Sequence, residues 1–126
     1  MSSQDRKFRI LVVEDAFLIG MDLKMSLEQM GYEVLGPVPT SARALDILKR
    51  DGCDGAILDV SLGRETSESV ADQLVSQDIP FFFLTGYSRN NINDPSLQNR
   101  PLYHKPMNRE SLGQAVDSHL TNHRAA

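Results

Sequence analysis

The chain alternates short apolar runs with segments of helical spacing. Ile10–Val13 is a β-branched run that stops at two acids, Glu14 and Asp15, and reads as a strand buried on both faces. From Phe17 the spacing becomes helical, with Ile19, Leu23, Leu27 and Met30 on one face and Gly31 as the stop. Tyr32–Leu35 reads as a second strand ended by Gly36 and Pro37. Thr40 or Ser41 can cap a helix carrying Ala44, Leu45 and Leu48, which ends at Gly52. Ala56-Ile57-Leu58 is a third buried strand, closed by Asp59. A polar loop from Ser61 to Thr66 leads to a helix with Val70 and Leu74, where Glu65 and Glu68 read as a solvated start.

Pro80 opens a fourth strand, Phe81 to Leu84, with the three phenylalanines read as core and one ring open to exposure; it ends at Thr85 and Gly86. Ser88 to Pro101 is rich in Asn and broken by two prolines, so a short or irregular element is expected there. A fifth strand follows, ending at Lys105. Asn108 then caps a last helix whose inner face is Leu112, Ala115, Val116 and Leu120. Strands that alternate with amphipathic helices need crossovers, and crossovers are right-handed. The expected fold is α/β: a doubly wound, flavodoxin-like, five-stranded parallel sheet covered on both faces. No repeat or low-complexity linker divides residues 1–126, so one domain is expected, with its core at about 7–123.

Composition narrows the classes. Hydrophobic residues make up 40% and charged residues 24% of the 126, which is globular. Thirteen basic against seventeen acidic residues give a net charge of −4 without a basic cluster, which excludes a strong direct grip on nucleic acid. Cys53 is the one cysteine; no disulfide framework exists, and a small half-buried filler is the expected role. The run at Ile10–Val13 is too short for a signal-peptide core or a membrane span, so a cytoplasmic protein with no membrane contact is expected.

The chemistry-bearing residues fall at carboxyl ends of the expected strands: Glu14 and Asp15, Asp59, Thr85 and Lys105. Doubly wound sheets bind ligands outside those ends. Three carboxylates brought together repel, which raises a pKa or recruits a cation. Mg²⁺ suits two carboxylates and a backbone carbonyl, and beside it Asp59 can stay ionised as an oxygen nucleophile toward phosphorus. Lys105 and the ion would offset phosphoryl charge. The three histidines, His104, His119 and His123, show no ligand spacing, and the last two read as decoration of the final helix.

The segments LVVED, ILDVSL, LTGY and HKP, in that order at those strand ends, resemble the receiver domains of two-component response regulators over roughly residues 7 to 123. The resemblance implies that Asp59 is the phosphoacceptor and that Asp15 and Asp59 bind Mg²⁺. Glu14 would act through water, and the backbone carbonyl of Ser61 would be the third protein ligand. Lys105 and the Gly86 N–H would contact the phosphoryl group, Thr85 would be the switch hydroxyl, and the Lys105–Pro106 bond would be cis. It implies a histidine kinase or phosphotransfer protein as donor and an effector protein downstream.

The family's aromatic residue three positions before the site lysine is replaced by Leu102; Tyr103 is offset by one residue, toward the opposite face of the strand. FFFLTGY resembles the subclass named for a Phe-Ala-Thr-Gly-Tyr-like motif, with Leu84 in place of Ala. Tyr87 then becomes the candidate for coupling site to surface. An aspartyl phosphatase would need a second acid where Ser61 stands, and a flavodoxin-type cofactor binder would be repelled by Glu14-Asp15. The expectation is a signalling module, not an enzyme, beyond self-catalysed gain and loss of its own phosphate. A weakly switching scaffold and a receiver cut from a hybrid kinase remain the alternatives. The ends favour a stand-alone protein without an output domain.

Overall fold

The computed structural model describes residues 7–86 and 95–121. Its elements run β1 (Arg9–Val13), α1 (Phe17–Gln29), β2 (Glu33–Val38), α2 (Ser41–Arg50), β3 (Gly55–Asp59), β4 (Ser61–Leu62), β5 (Glu65–Thr66), α3 (Glu68–Ser76), β6 (Phe81–Thr85), β7 (Leu102–His104) and α4 (Arg109–Val116). A 3₁₀ turn, Pro95–Leu97, precedes β7, and a π turn, Asp117–Thr121, prolongs α4. Five strands form one sheet in the order β2-β1-β3-β6-β7, every pairing parallel. The order reverses between β1 and β3, so their carboxyl ends diverge around a crevice where ligands bind in such sheets.

Alternation along the strands builds two cores. Leu11, Val13, Ala56, Leu58, Phe81 and Phe83 face Ala44 and Leu48 of α2 and Val70, Ala71 and Leu74 of α3. Ile10, Val12, Ile57, Phe82 and Leu84 face Leu23 and Leu27 of α1 and the four expected residues of the last helix, Leu112, Ala115, Val116 and Leu120. Both faces of each central strand are dry, which is why those strands read as unbroken apolar runs. Capping follows the sequence: Thr40 Oγ1 accepts from the Arg43 N–H, and Asn108 Oδ1 accepts from the Ser111 N–H.

Five expectations change. β2 does not end at Gly36-Pro37 but passes through them to Val38; it is an edge strand, and edges and bulges tolerate proline. The polar loop after Asp59 holds a small antiparallel pair, β4 with β5, turned at Gly63 with φ +71°. Glu65 lies in β5 and accepts from the Ser41 N–H through Oε2 rather than opening a helix. All three rings of Phe81–Phe83 are buried, and on α1 Ile19 is partly exposed instead of inward. Cys53 is half-buried against the α2–α3 core, where burial pushes its thiol up to about 12. The irregular segment before β7 is described only from residue 95, where Leu97 is buried below the 3₁₀ turn. The peptide bonds Gly36–Pro37 and Lys105–Pro106 are both cis.

Candidate functional site

The carboxyl ends of β1, β3 and β6 and the residues that follow β7 enclose a cavity of about 650 Å³. Glu14, Asp15, Asp59, Ser61, Gly86 and Lys105 are among the residues lining it. Strand pairing sets the heights: Val13 pairs with Leu58, and Asp59 with Leu84, so the acids after β1 and at the end of β3 emerge together. Val38 O also accepts from the Glu14 N–H at 2.9 Å, which ties the acid pair to β2. Glu14, Asp15 and Asp59 each offer an oxygen, and these atoms lie within 4.8 Å of one another. Asp59 and Glu14 are buried; Asp15 is exposed at the mouth.

Lys105 enters from the end of β7, its N–H donating to Thr85 O at 2.8 Å. Its Nζ donates to Asp59 Oδ2 at 2.9 Å and lies 2.7 Å from Glu14 Oε1. The second contact is an ion pair out of hydrogen-bond alignment, and among the described residues no aligned donor reaches that buried oxygen. Glu14 Oε2 accepts from the Ala16 N–H, and Asp59 Oδ1 accepts from the Ser61 N–H. Burial, then a shared hydrogen bond with Asp59, pushes the Glu14 carboxyl up to about 7 against the pull of Lys105. Burial pulls the lysine down, but the two carboxylates outweigh it and hold its pKa above the ordinary value.

A pocket with three converging carboxylates, one strained toward neutrality and one oxygen without an aligned donor, has the chemistry of a hard-cation site. Thr85 is buried at the end of β6, and Gly86 is exposed beside the Lys105 stem. Thus six of the expected site residues line one cavity, and Thr85 is buried next to one of them, Gly86, in the chain. Leu102 does not join them: it is half-buried against the α2–α3 core, while Tyr103 packs on the opposite side against Phe82. Tyr87 lies outside the described residues, as does His123.

Two features were not expected. The Tyr103 hydroxyl meets His119 Nε2 at 2.7 Å, and both rings pack on Phe82, so His119 is a partner of β7 rather than a decoration. The one-residue offset of Tyr103 from the family position was the available signal. Beside the pocket, α1 exposes Phe17 and Leu18 at 72% and 79%. Leu18 borders, with Ile19, a smaller apolar cavity of about 190 Å³ that shares Ile19, Lys105 and Pro106 with the main one.

No protein-family model matches the chain. The solution structure of SdrG from Sphingomonas melonis Fr1 is 39% identical, with a TM-score of 0.78 over 94% of this chain and 98% of that one. A second SdrG structure, described as the BeF3-activated conformation from Pseudomonas melonis Fr1, is 40% identical with a TM-score of 0.73, covering 87% of this chain and 93% of that one. The chain belongs to the response-regulator receiver domains. This receiver also shares its fold with the signal receiver domain of a putative Luxo repressor protein from Vibrio parahaemolyticus (TM-score 0.79, 23% identity, 94% of each chain). The transcriptional regulatory protein PdtaR of Mycobacterium tuberculosis is 32% identical over 85 residues, 67% of the chain, which spans 42% of that relative's length. Receiver domains are phosphorylation-dependent signalling modules, and this domain is one of them. No helix among the described residues is long and apolar enough to cross a membrane.

Proposed function

We propose that Asp59 is the phosphoacceptor and that Glu14, Asp15, Asp59 and the Ser61 carbonyl hold Mg²⁺ while it reacts. The observation that carries this reading is the convergence of Lys105 Nζ on Asp59 Oδ2 at 2.9 Å inside a pocket of three carboxylates. Bound there, the cation would neutralise carboxylate and phosphoryl charge. Lys105 holds the Asp59 carboxylate in place and supplies positive charge for the incoming phosphoryl oxygens. A carboxylate oxygen of Asp59 forms the new P–O bond as the P–N bond of a donor phosphohistidine breaks, and the imidazole leaves with the electron pair and takes up a proton. The Gly86 N–H and the Thr85 hydroxyl then serve the phosphoryl group, Thr85 as the switch.

The donor in this reading is a histidine kinase or phosphotransfer protein, and the message leaves by contact with an effector protein in the cytoplasm. Phe17 and Leu18, exposed next to the pocket mouth, support a protein as donor, because an apolar rim suits a partner surface. Tyr87 follows Gly86 directly and is proposed as the residue that couples site and surface; Leu102, half-buried against the α2–α3 core, takes the place of the family's mobile aromatic ring.

Incubation with Mg²⁺ and acetyl phosphate, followed by intact mass, tests this reading. A phosphoryl gain in the wild type that is absent from Asp59→Asn and absent in chelator is expected. An equal gain in Asp59→Asn would exclude Asp59 as the acceptor.

A further inference from the structure

Gly20 is buried in α1, over the end of β2. A Cβ placed on it would lie 2.9 Å from both Cβ and Cγ of Pro37 and 3.6 Å from Cγ of Glu14. A proline ring cannot rotate aside as a long side chain would, so only glycine lets the helix settle here. Pro37 reaches this place through a bulge. Leu11 pairs with Leu35 and Val13 with Val38, so Gly36 and Pro37 together oppose Val12. Gly36 has φ +102°, and a Cβ there would stand 2.7 Å from Val12 O and 2.8 Å from Val38 N. Immediately after the bulge, Val38 O takes the Glu14 N–H. The bulge therefore anchors the Glu14 backbone, while the Gly20–Pro37 contact closes the space beside its side chain.

We propose that Gly20, Gly36 and Pro37 are positioning residues that set the place of the Glu14 carboxylate and thereby the divalent-cation affinity of the pocket. None of them touches the phosphoryl group; each acts through Glu14. The inference rests on the cation-site reading above and adds to it the element that tunes it. Its distinguishing feature is the sign of the side effects. Alanine is the better helix former, so Gly20→Ala leaves the intrinsic preference of α1 for helix intact or improved. Any loss of cation affinity then comes from displaced Glu14 or Pro37.

The test is calorimetric titration of the whole protein with Mg²⁺, alongside thermal unfolding in chelator. Gly20→Ala is expected to weaken Mg²⁺ binding about tenfold, the usual size of an effect from a group that orients a metal ligand. Phosphorylation by acetyl phosphate should slow at low Mg²⁺ and recover at high Mg²⁺. Adding Pro37→Gly to Gly20→Ala removes the two Pro37 atoms that the new methyl would clash with, and most of the affinity should return. Pro37→Gly alone, which frees the same space, should weaken binding and serves as the test if Gly20→Ala does not fold. Unchanged Mg²⁺ affinity in a folded single variant, or a double variant no better than Gly20→Ala, would overturn the proposal. If the wild type takes up no Mg²⁺, the cation-site reading falls first and this inference with it. Wild-type binding with no effect of the substitutions removes the inference alone.

Discussion

Replacing Lys105 by methionine keeps the length of the stem and removes the charge. In the native pocket the lysine side chain is 13% exposed and stands between carboxylates that are 1% (Glu14) and 7% (Asp59) exposed. Without it the two acids face each other in a poorly hydrated space with no cation between them. Removing one partner of a buried ion pair typically costs about 3–5 kcal/mol, because the other charge is left uncompensated. One carboxyl can take a proton instead, so about 3 kcal/mol is the reasonable figure at pH near 8 in chelator. For a domain of this size that is a fall of roughly 10 °C in Tm. The deficit should shrink toward about pH 5, where the raised Glu14 carboxyl binds a proton, and millimolar Mg²⁺ should restore much of it at pH 8. Thermal unfolding followed by far-ultraviolet circular dichroism, across pH and with and without Mg²⁺, reads all three effects. A deficit independent of both pH and Mg²⁺ would mean lost packing, not electrostatics, and a Tm equal to wild type would refute the buried-triad reasoning.

The remaining predictions concern the same face of the sheet. Because folding raises the Glu14 carboxyl from 4.5 to about 7, the folded state holds the proton more tightly, and metal-free stability falls as pH rises through that window. Glu14→Gln should abolish that fall and be more stable than wild type above about pH 7 by on the order of 3 kcal/mol in chelator; a parallel pH profile in urea unfolding would contradict it. Tyr103→Phe removes the hydroxyl that meets His119 Nε2 and should cost about 1 kcal/mol while leaving phosphorylation intact, as measured by urea unfolding and acetyl-phosphate labelling; slowed phosphorylation would show that this pair serves the site.

Most of the site was legible because its residues sit where a local pattern breaks. Glu14-Asp15, Asp59 and Thr85 each close an apolar run, Lys105 precedes a proline, and the parallel order carries all of them to one end of the sheet. The misreadings have a common origin in contacts between distant residues. Gly36-Pro37 looks like a stop, yet the edge position of β2 and the hydrogen bond from Glu14 carry the strand on to Val38. β4 and β5 are two residues each, below any periodic signal, and Glu65 is engaged by Ser41 at the start of α2. His119 looks like a polar residue on the last helix until β7 brings the Tyr103 hydroxyl to it. The outward turn of Phe17 and Leu18 was equally hidden, since helical spacing alone does not say which apolar residues at a helix start lack a neighbour.

The central claim is that a phosphoryl group goes to one particular carboxylate, and site mapping tests it most directly. Protein labelled with acetyl phosphate and Mg²⁺ is reduced with borohydride, which converts an acyl phosphate to an alcohol, and then digested and sequenced by mass spectrometry. Reduction confined to Asp59, lost without Mg²⁺ and strongly diminished in Lys105→Met, is the expected result. Reduction at Glu14 or Asp15 with Asp59 untouched, or stable labelling that borohydride does not reach, would contradict it.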